Sequence, residues 1–248
     1  MLSQLKPKLQ NWVASDQKIK KLGVSLHYYL FRHRLWEKVW ALDNKSIFTE
    51  IYRNNLWNNE ESRSGGGSTL KHTARLRSGL QDLLHNNGIR SVFDAGCGDF
   101  NWMKTIRLDG IKYLGGDIVR ELVADNNKKY GGGHTSFVEW DATRDKPPIV
   151  DLIFCREVLL HLSFHDARSA IINFKKSQSQ YLLITHYPFV TENTDIRTGQ
   201  CRGINFRLPP FSFPAPLLTI EENYSPQCMA LWKLADIDDG EASLSIGG

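Results

Sequence analysis

The sequence predicts an α/β fold, a doubly wound and mostly parallel sheet with an antiparallel closing strand, preceded by an N-terminal helical extension. Three observations carry this expectation. Short apolar runs recur between stretches of helical period, the alternation expected of parallel strands joined by crossover helices. One run, in residues 91–102 (S-V-F-D-A-G-C-G-D-F-N-W), ends in an acid and breaks into a glycine turn. Three acids, Asp94, Asp117 and Asp141, stand in order at the ends of three such runs. With 248 residues and 41% hydrophobic content, the chain can form one principal domain around a full core. The division expected is an extension over residues 1–59 and a domain over 60–248.

The glycine turn comes first. Gly96 and Gly98 let the backbone curl tightly and approach a ligand, because a residue without a Cβ takes conformations closed to others. A dinucleotide-binding turn needs a third glycine three residues after the second, but Asn101 stands there and would crowd a pyrophosphate. A cofactor without phosphate tolerates the side chain. The run from Asp94 to Gly98 (D-A-G-C-G) resembles motif I of the class I S-adenosylmethionine-dependent methyltransferases, a family of Rossmann-like fold. That family often carries a third glycine where Phe100 stands here.

The remaining strands follow in order. Residues 111–117 read as a second strand delivering Asp117, an acid about 20 residues past the glycine turn and so placed for ribose hydroxyls. Residues 135–140 alternate as a third and deliver Asp141 and Ala142 to the same edge. Residues 149–155 form a continuous apolar run, as in a strand buried on both faces. Residues 181–186 make the fifth, and residues 228–235 the antiparallel closing strand. Taken singly, each acid reads equally well as a helix cap or a loop acid. The resemblance, which spans residues 48–235, implies S-adenosylmethionine as cofactor. It also implies that Asp94, Gly96 and Gly98 cradle it, that Asp141 and Ala142 contact its adenine, and that Ile118 and Arg156 join the cofactor-binding set.

Two segments precede the first strand. In the extension, Leu26, Tyr29, Leu30, Trp36, Val39 and Trp40 recur at near-helical spacing behind a lysine-rich flank. One or two amphipathic helices are expected there, either capping the sheet or resting on an anionic membrane or glycan-assembly partner. Residues 62–70 (S-R-S-G-G-G-S-T-L) are a linker or a lid over the cofactor. A helix ending near Asn86 follows.

Chemistry is expected at residues 155–163 (C-R-E-V-L-L-H-L-S). If Glu157 starts a helical turn, His161 projects from the same face four residues on. Methyl transfer to a hydroxyl requires the acceptor oxygen to lose a proton, which an imidazole or carboxylate can take. His161 is the expected base, with Glu157 orienting it or taking the role itself, and His186 is a second candidate. A histidine kept for packing is the alternative. Residues 187–226 form a long proline-rich stretch in which Asn193, Asp195, Arg197 and Asn205 offer groups that grip sugar hydroxyls, with Phe206 and Phe211 as flat faces. The same residues also suit a structural flap tied to its own backbone.

Composition narrows the function. The net charge of +4 does not call for a polyanion. No dense basic patch with interleaved aromatics lies outside the extension, so no nucleic-acid partner is expected. Residues 155–158 read C-R-E-V rather than the Asn/Asp-Pro-Pro-aromatic tetrad of amino-methylating relatives. Four dispersed cysteines, Cys97, Cys155, Cys201 and Cys228, form no C-x-x-C pair and suggest neither zinc nor disulfides; reduced thiols fit a cytoplasmic protein. The leader I-Y-R-N-N-L-W followed by the glycine-rich segment resembles bacterial methyltransferases linked to surface glycan assembly. The resemblance thus implies O-methylation of a hydroxylated acceptor such as a saccharide. The alternatives are another small-molecule methyltransferase or a non-catalytic methyltransferase-like scaffold.

Overall fold

The computed structural model describes residues 42–223 and 226–238. The helices expected between residues 26 and 40 lie outside the described residues. The sheet contains β1 (Ser91–Ala95), β2 (Lys112–Asp117), β3 (Thr135–Glu139), β4 (Leu152–Cys155), β5 (Tyr181–His186), β6 (Leu218–Glu221) and β7 (Cys228–Lys233). Its order is β3-β2-β1-β4-β5-β7-β6. β1 pairs in parallel with both β2 and β4, while β7 runs antiparallel to β5 and β6. The mostly parallel sheet with one antiparallel closing strand is therefore as the sequence predicts.

The helices are α1 (Asn44–Arg53), α2 (Ala74–Asn86), α3 (Arg120–Tyr130) and α4 (Phe164–Lys176). The two faces of the sheet follow from strand alternation. On β1, Phe93 packs in the cluster that holds Trp140 and the α4 residues Ala170 and Phe174. Its neighbour Val92 belongs to the opposite cluster with Leu76, Leu80 and Leu83, which line one face of α2 at helical spacing. β4, flanked on both sides, is buried at every position. Gly79 lets α2 approach the edge strand, since a Cβ there would lie 2.5 Å from Ile220 Cγ2.

Two features differ from the sequence reading. The compact unit that carries the sheet begins at Asp43, ahead of the expected boundary between residues 59 and 60. The reason is α1: it buries Ile47 and Ile51, Asn44 Nδ2 donates to Asp166 at 3.1 Å, and Lys45 and Arg53 pair with Glu139 and Glu121. Asp43 caps the helix, accepting from Ser46 N at 2.9 Å. Second, β6 lies within the stretch read as irregular. It is four residues long with only Ile220 turned fully inward, too short for its alternation to stand out. No helix of the described residues is long and apolar enough to cross a membrane.

Candidate functional site

A cleft opens at the carboxyl ends of the strands, where the neighbours of β1 diverge to β2 and β4; this is the topological switch point of an open α/β sheet. Asp94, Gly96, Gly98, Asp117, Ile118, Asp141, Ala142 and Arg156 all line the cleft. The structure thus brings the expected cofactor residues together.

The glycine turn forms the floor. Gly96 and Gly98 have φ of 86° and 56°, in the left-handed region that favours glycine. The amides of Gly96 and Cys97 donate to Gly116 O at 2.8 and 3.0 Å, pulling the turn against β2. Asp117 is then held by backbone alone: Oδ2 accepts from Gly98 N at 3.1 Å and Oδ1 from Val119 N at 3.0 Å. Each oxygen keeps a further lone pair for a ligand. Burial raises the Asp117 carboxyl against these stabilising amides. Asp94 accepts from Tyr113 Oη at 2.5 Å, and burial pushes its pKa up to about 7 despite that bond.

Phe100 resolves the missing glycine. Its φ is 58°, so the backbone keeps the glycine-like conformation at a cost of about 1–2 kcal/mol. The ring offsets this by packing against Tyr113, Tyr130 and Phe137 at 5.2, 5.2 and 5.1 Å, since burying a phenylalanine contributes about 1.5–3 kcal/mol.

The serine-glycine segment is folded down over this turn. Asp99 accepts from Ser62 Oγ at 3.0 Å and Arg63 N at 2.8 Å, while Asp99 N donates to Ser64 Oγ at 3.0 Å. Asn101, at the position that argues against a dinucleotide, donates to Glu61 Oε1 at 2.9 Å and to Ser68 O at 3.1 Å. Ser64, Gly67 and Ser68 line the cleft. Past β3, Asp141 Oδ1 accepts from Thr143 N at 2.9 Å, and Ala142 O accepts from Asn173 Nδ2 at 2.9 Å.

Arg156 lines the cleft with its guanidinium already engaged. It forms a buried ion pair with Glu222, with Nε donating to Glu222 Oε1 at 3.1 Å, and Nη2 donates to Gly67 O at 3.1 Å. Glu222, just past β6, was not legible as its partner.

The expected Glu157/His161 pair does not form. Glu157 has φ of 59° and so starts no helical turn; the short turn is Leu159–His161. Its amide donates to Thr185 Oγ1 at 2.8 Å. Glu157 Oε1 is buried with no hydrogen-bond partner among the described residues, and burial raises the carboxyl. His161 Nδ1 instead meets Gln200 O at 2.8 Å. A carbonyl only accepts, so Nδ1 carries the proton and Nε2 keeps its lone pair. Burial lowers the His161 pKa to about 4. Both residues line the cleft, and the Trp57 ring lies 5.3 Å from the imidazole.

His186 is elsewhere. Its Nδ1 accepts from Phe206 N at 3.2 Å, and Trp232 packs edge-on at 5.6 Å, so the imidazole belongs to the core beneath the loop. The four residues expected to grip an acceptor are also outside the cleft. Asn193 Nδ2 donates to Asn205 O, Leu208 O and Pro209 O at 2.9, 3.3 and 2.8 Å. Asn205 Nδ2 donates to Val190 O at 2.8 Å. Asp195 accepts from Phe164 N at 2.7 Å, at the start of α4, and Arg197 is exposed on the loop. The flap is tied to itself because its many backbone groups, lacking a ladder, need side-chain partners. Phe206 and Phe211 are buried against each other at 5.0 Å.

The far wall comes instead from α1. Asn44, Phe48 and Tyr52 recur every fourth residue and all line the cleft, with Trp57 beyond them. Their spacing was the available signal.

No protein-family model matches the chain, and no curated protein does. Among solved structures, magnesium protoporphyrin IX methyltransferase (ChlM) from Synechocystis PCC 6803 with bound SAM is similar at a TM-score of 0.53 and 17% identity, over 77% of this chain and 97% of that one. The same protein with bound SAH gives 0.53 at 14%, over 77% and 99%. PigF with SAH gives 0.52 at 15%, over 80% and 62%. The chain therefore shares the Rossmann-like fold of these methyltransferases.

Proposed function

We propose that this chain is an S-adenosylmethionine-dependent methyltransferase acting on a hydroxylated acceptor, with a saccharide as the finer expectation. One observation carries the cofactor reading: at the switch point, a double-glycine turn and a carboxylate held by its own backbone leave acceptor lone pairs beside a phosphate-free cradle. The residues fit the group. Asp117 suits ribose hydroxyls, and Ile118, Asp141 and Ala142 suit adenine. The turn and the folded-down segment with Ser64 suit the methionine end. The cleft acids Asp94, Asp117, Asp141 and Glu157 outnumber its arginines, Arg63 and Arg156, and Arg156 is already paired with Glu222, a balance that favours a ligand carrying positive charge.

When bound, S-adenosylmethionine supplies an electrophilic methyl group on a sulfonium. The chain's own residues supply the remainder. Phe48, Tyr52 and Trp57 offer flat apolar faces to the body of an acceptor. His161 Nε2 accepts a hydrogen bond from its hydroxyl, with Glu157 lining the same cleft. His161, neutral over the physiological range because of its low pKa, is free to take the hydroxyl proton as the oxygen is methylated. Holding both reactants between these walls supplies orientation.

Calorimetry with S-adenosylhomocysteine, followed by methyl transfer to neutral saccharides and to small phenols, tests the reading. Cofactor binding with turnover on a saccharide supports it. Lack of cofactor binding overturns it, and binding without turnover on any acceptor supports the scaffold alternative.

A further inference from the structure

The segment after β5 does not reach the cleft, yet it grips the turn that carries His161. Gly199 N donates to His161 O at 2.8 Å, and Arg202 N donates to Leu160 O at 3.1 Å. Gln200 O takes the imidazole Nδ1 at 2.8 Å. One residue further, Thr198 Oγ1 accepts from Ser163 N at 2.9 Å. The strongest tie is the Arg202 side chain, whose Nη1 donates to both Leu159 O and Leu160 O, at 3.2 and 3.0 Å. These are carbonyls of a single short helical turn, the groups a helix end leaves without partners.

Arg202 is an unusual choice for this task. Its guanidinium lies 5.0 Å above the Phe164 ring, and no ion pair reaches it among the described residues. Nε and Nη2 are buried and without hydrogen-bond partners there, and burial lowers its pKa to about 10. A neutral donor would satisfy the same carbonyls without burying a charge, which is costly when unpaired. The electrostatic neighbours of this charge include Asp195, which favours it, and His161, whose protonation it opposes.

We propose that Arg202 is a positioning residue that acts through His161, locking the turn so that the imidazole keeps Nδ1 on Gln200 O and presents Nε2 to the cleft. The inference rests on the reading of His161 as the base. The imidazole meets the Trp57 ring and the Gln200 carbonyl, with Glu157 lining the same cleft, Arg202 on the clasp, and Asp195 acting on the Arg202 charge. Of the charges, that of Arg202 acts on the histidine, opposing protonation alongside burial. The clasp thus fixes where the base points, while its charge adds to burial in opposing protonation.

The test needs no acceptor. The His161 resonance, assigned by its loss in His161→Gln, is followed by NMR through a pH titration of the S-adenosylhomocysteine-loaded full chain. Arg202→Lys keeps the charge, whereas Arg202→Gln keeps a donor for the turn and removes it. The expected result is a low, near-native His161 pKa in Arg202→Lys and an upward shift on the order of one unit in Arg202→Gln. Arg202→Met removes the donor as well, and the 15N shifts of its imidazole should show the Nδ1-protonated tautomer giving way. An imidazole that keeps both its tautomer in Arg202→Met and its native pKa in Arg202→Gln overturns the proposal. Because the titration is read without turnover, a failed reading of His161 as base leaves this result intact, and an imidazole unchanged in both respects in an active enzyme sinks only the role of Arg202.

Discussion

Gly98 and Ser64 meet so closely that a Cβ on the glycine would lie 2.2 Å from the serine Oγ. The glycine turn and the folded-down segment are therefore fitted to each other. In Gly98→Ala, the left-handed backbone is strained and the segment must move. S-adenosylhomocysteine affinity is expected to fall on the order of 10–100-fold, at about 1.4 kcal/mol per tenfold. Adding Ser64→Gly removes the clash but not the strain, so calorimetry should show partial recovery.

Asp117 is held by Gly98 N and Val119 N, and in the proposed function its remaining lone pairs take the cofactor. Asp117→Ala removes charge-assisted bonds worth about 1.5–3 kcal/mol each. Binding of S-adenosylhomocysteine should weaken by at least about tenfold, with Asp117→Asn falling between it and the native chain. Unchanged affinity in both variants would remove Asp117 from the cofactor site.

Asp94 makes the cleft sensitive to pH. With its pKa raised to about 7, it is protonated below that point and negative above it. Affinity for the cationic S-adenosylmethionine should rise between about pH 6 and 8 more than affinity for uncharged-sulfur S-adenosylhomocysteine. Asp94→Asn should flatten the difference. Linkage gives the matching sign for stability: the folded chain binds more protons between the unfolded value near 4 and about 7, so the Asp94 contribution is present at low pH and lost as pH rises through that window.

The flap after β5 should behave as structure. Asn193→Ala leaves carbonyls and an amide without partners, at about 1–3 kcal/mol, so thermal unfolding should occur earlier while S-adenosylhomocysteine affinity stays native. Arg197→Ala, on an exposed side chain, should change stability by less than about 0.5 kcal/mol. Weakened cofactor binding in either variant would return the flap to the site.

Glu222 neutralises the Arg156 guanidinium where both side chains are nearly inaccessible, at 3% and 4% exposure. Breaking such a pair leaves a charge buried alone, and Glu222→Gln should cost about 3–5 kcal/mol in denaturant unfolding. Replacing both residues with apolar ones should cost less than the single change.

The sequence by itself determined the sheet and the floor of the cleft. The positions of β1 to β5, the antiparallel β7, the glycine turn and the placing of Asp117 were legible because each depends on neighbours along the chain: strand period, a turn that needs glycine, an acid at a strand end. Even Phe100 keeps the backbone a glycine would take, although only Tyr113, Tyr130 and Phe137 around it show why. The tertiary structure alone decided the acceptor side. It put Phe48, Tyr52 and Trp57 in the wall, tied Asn193 and Asn205 to the flap's own backbone and Asp195 to Phe164 N, sank His186 into the core and joined His161 to Gln200 rather than to Glu157. Those outcomes turn on which distant partner satisfies each polar group, as Glu222 does for Arg156 and Gln200 for His161. No local period encodes that choice, since it is made when buried donors and acceptors compete across the folded chain.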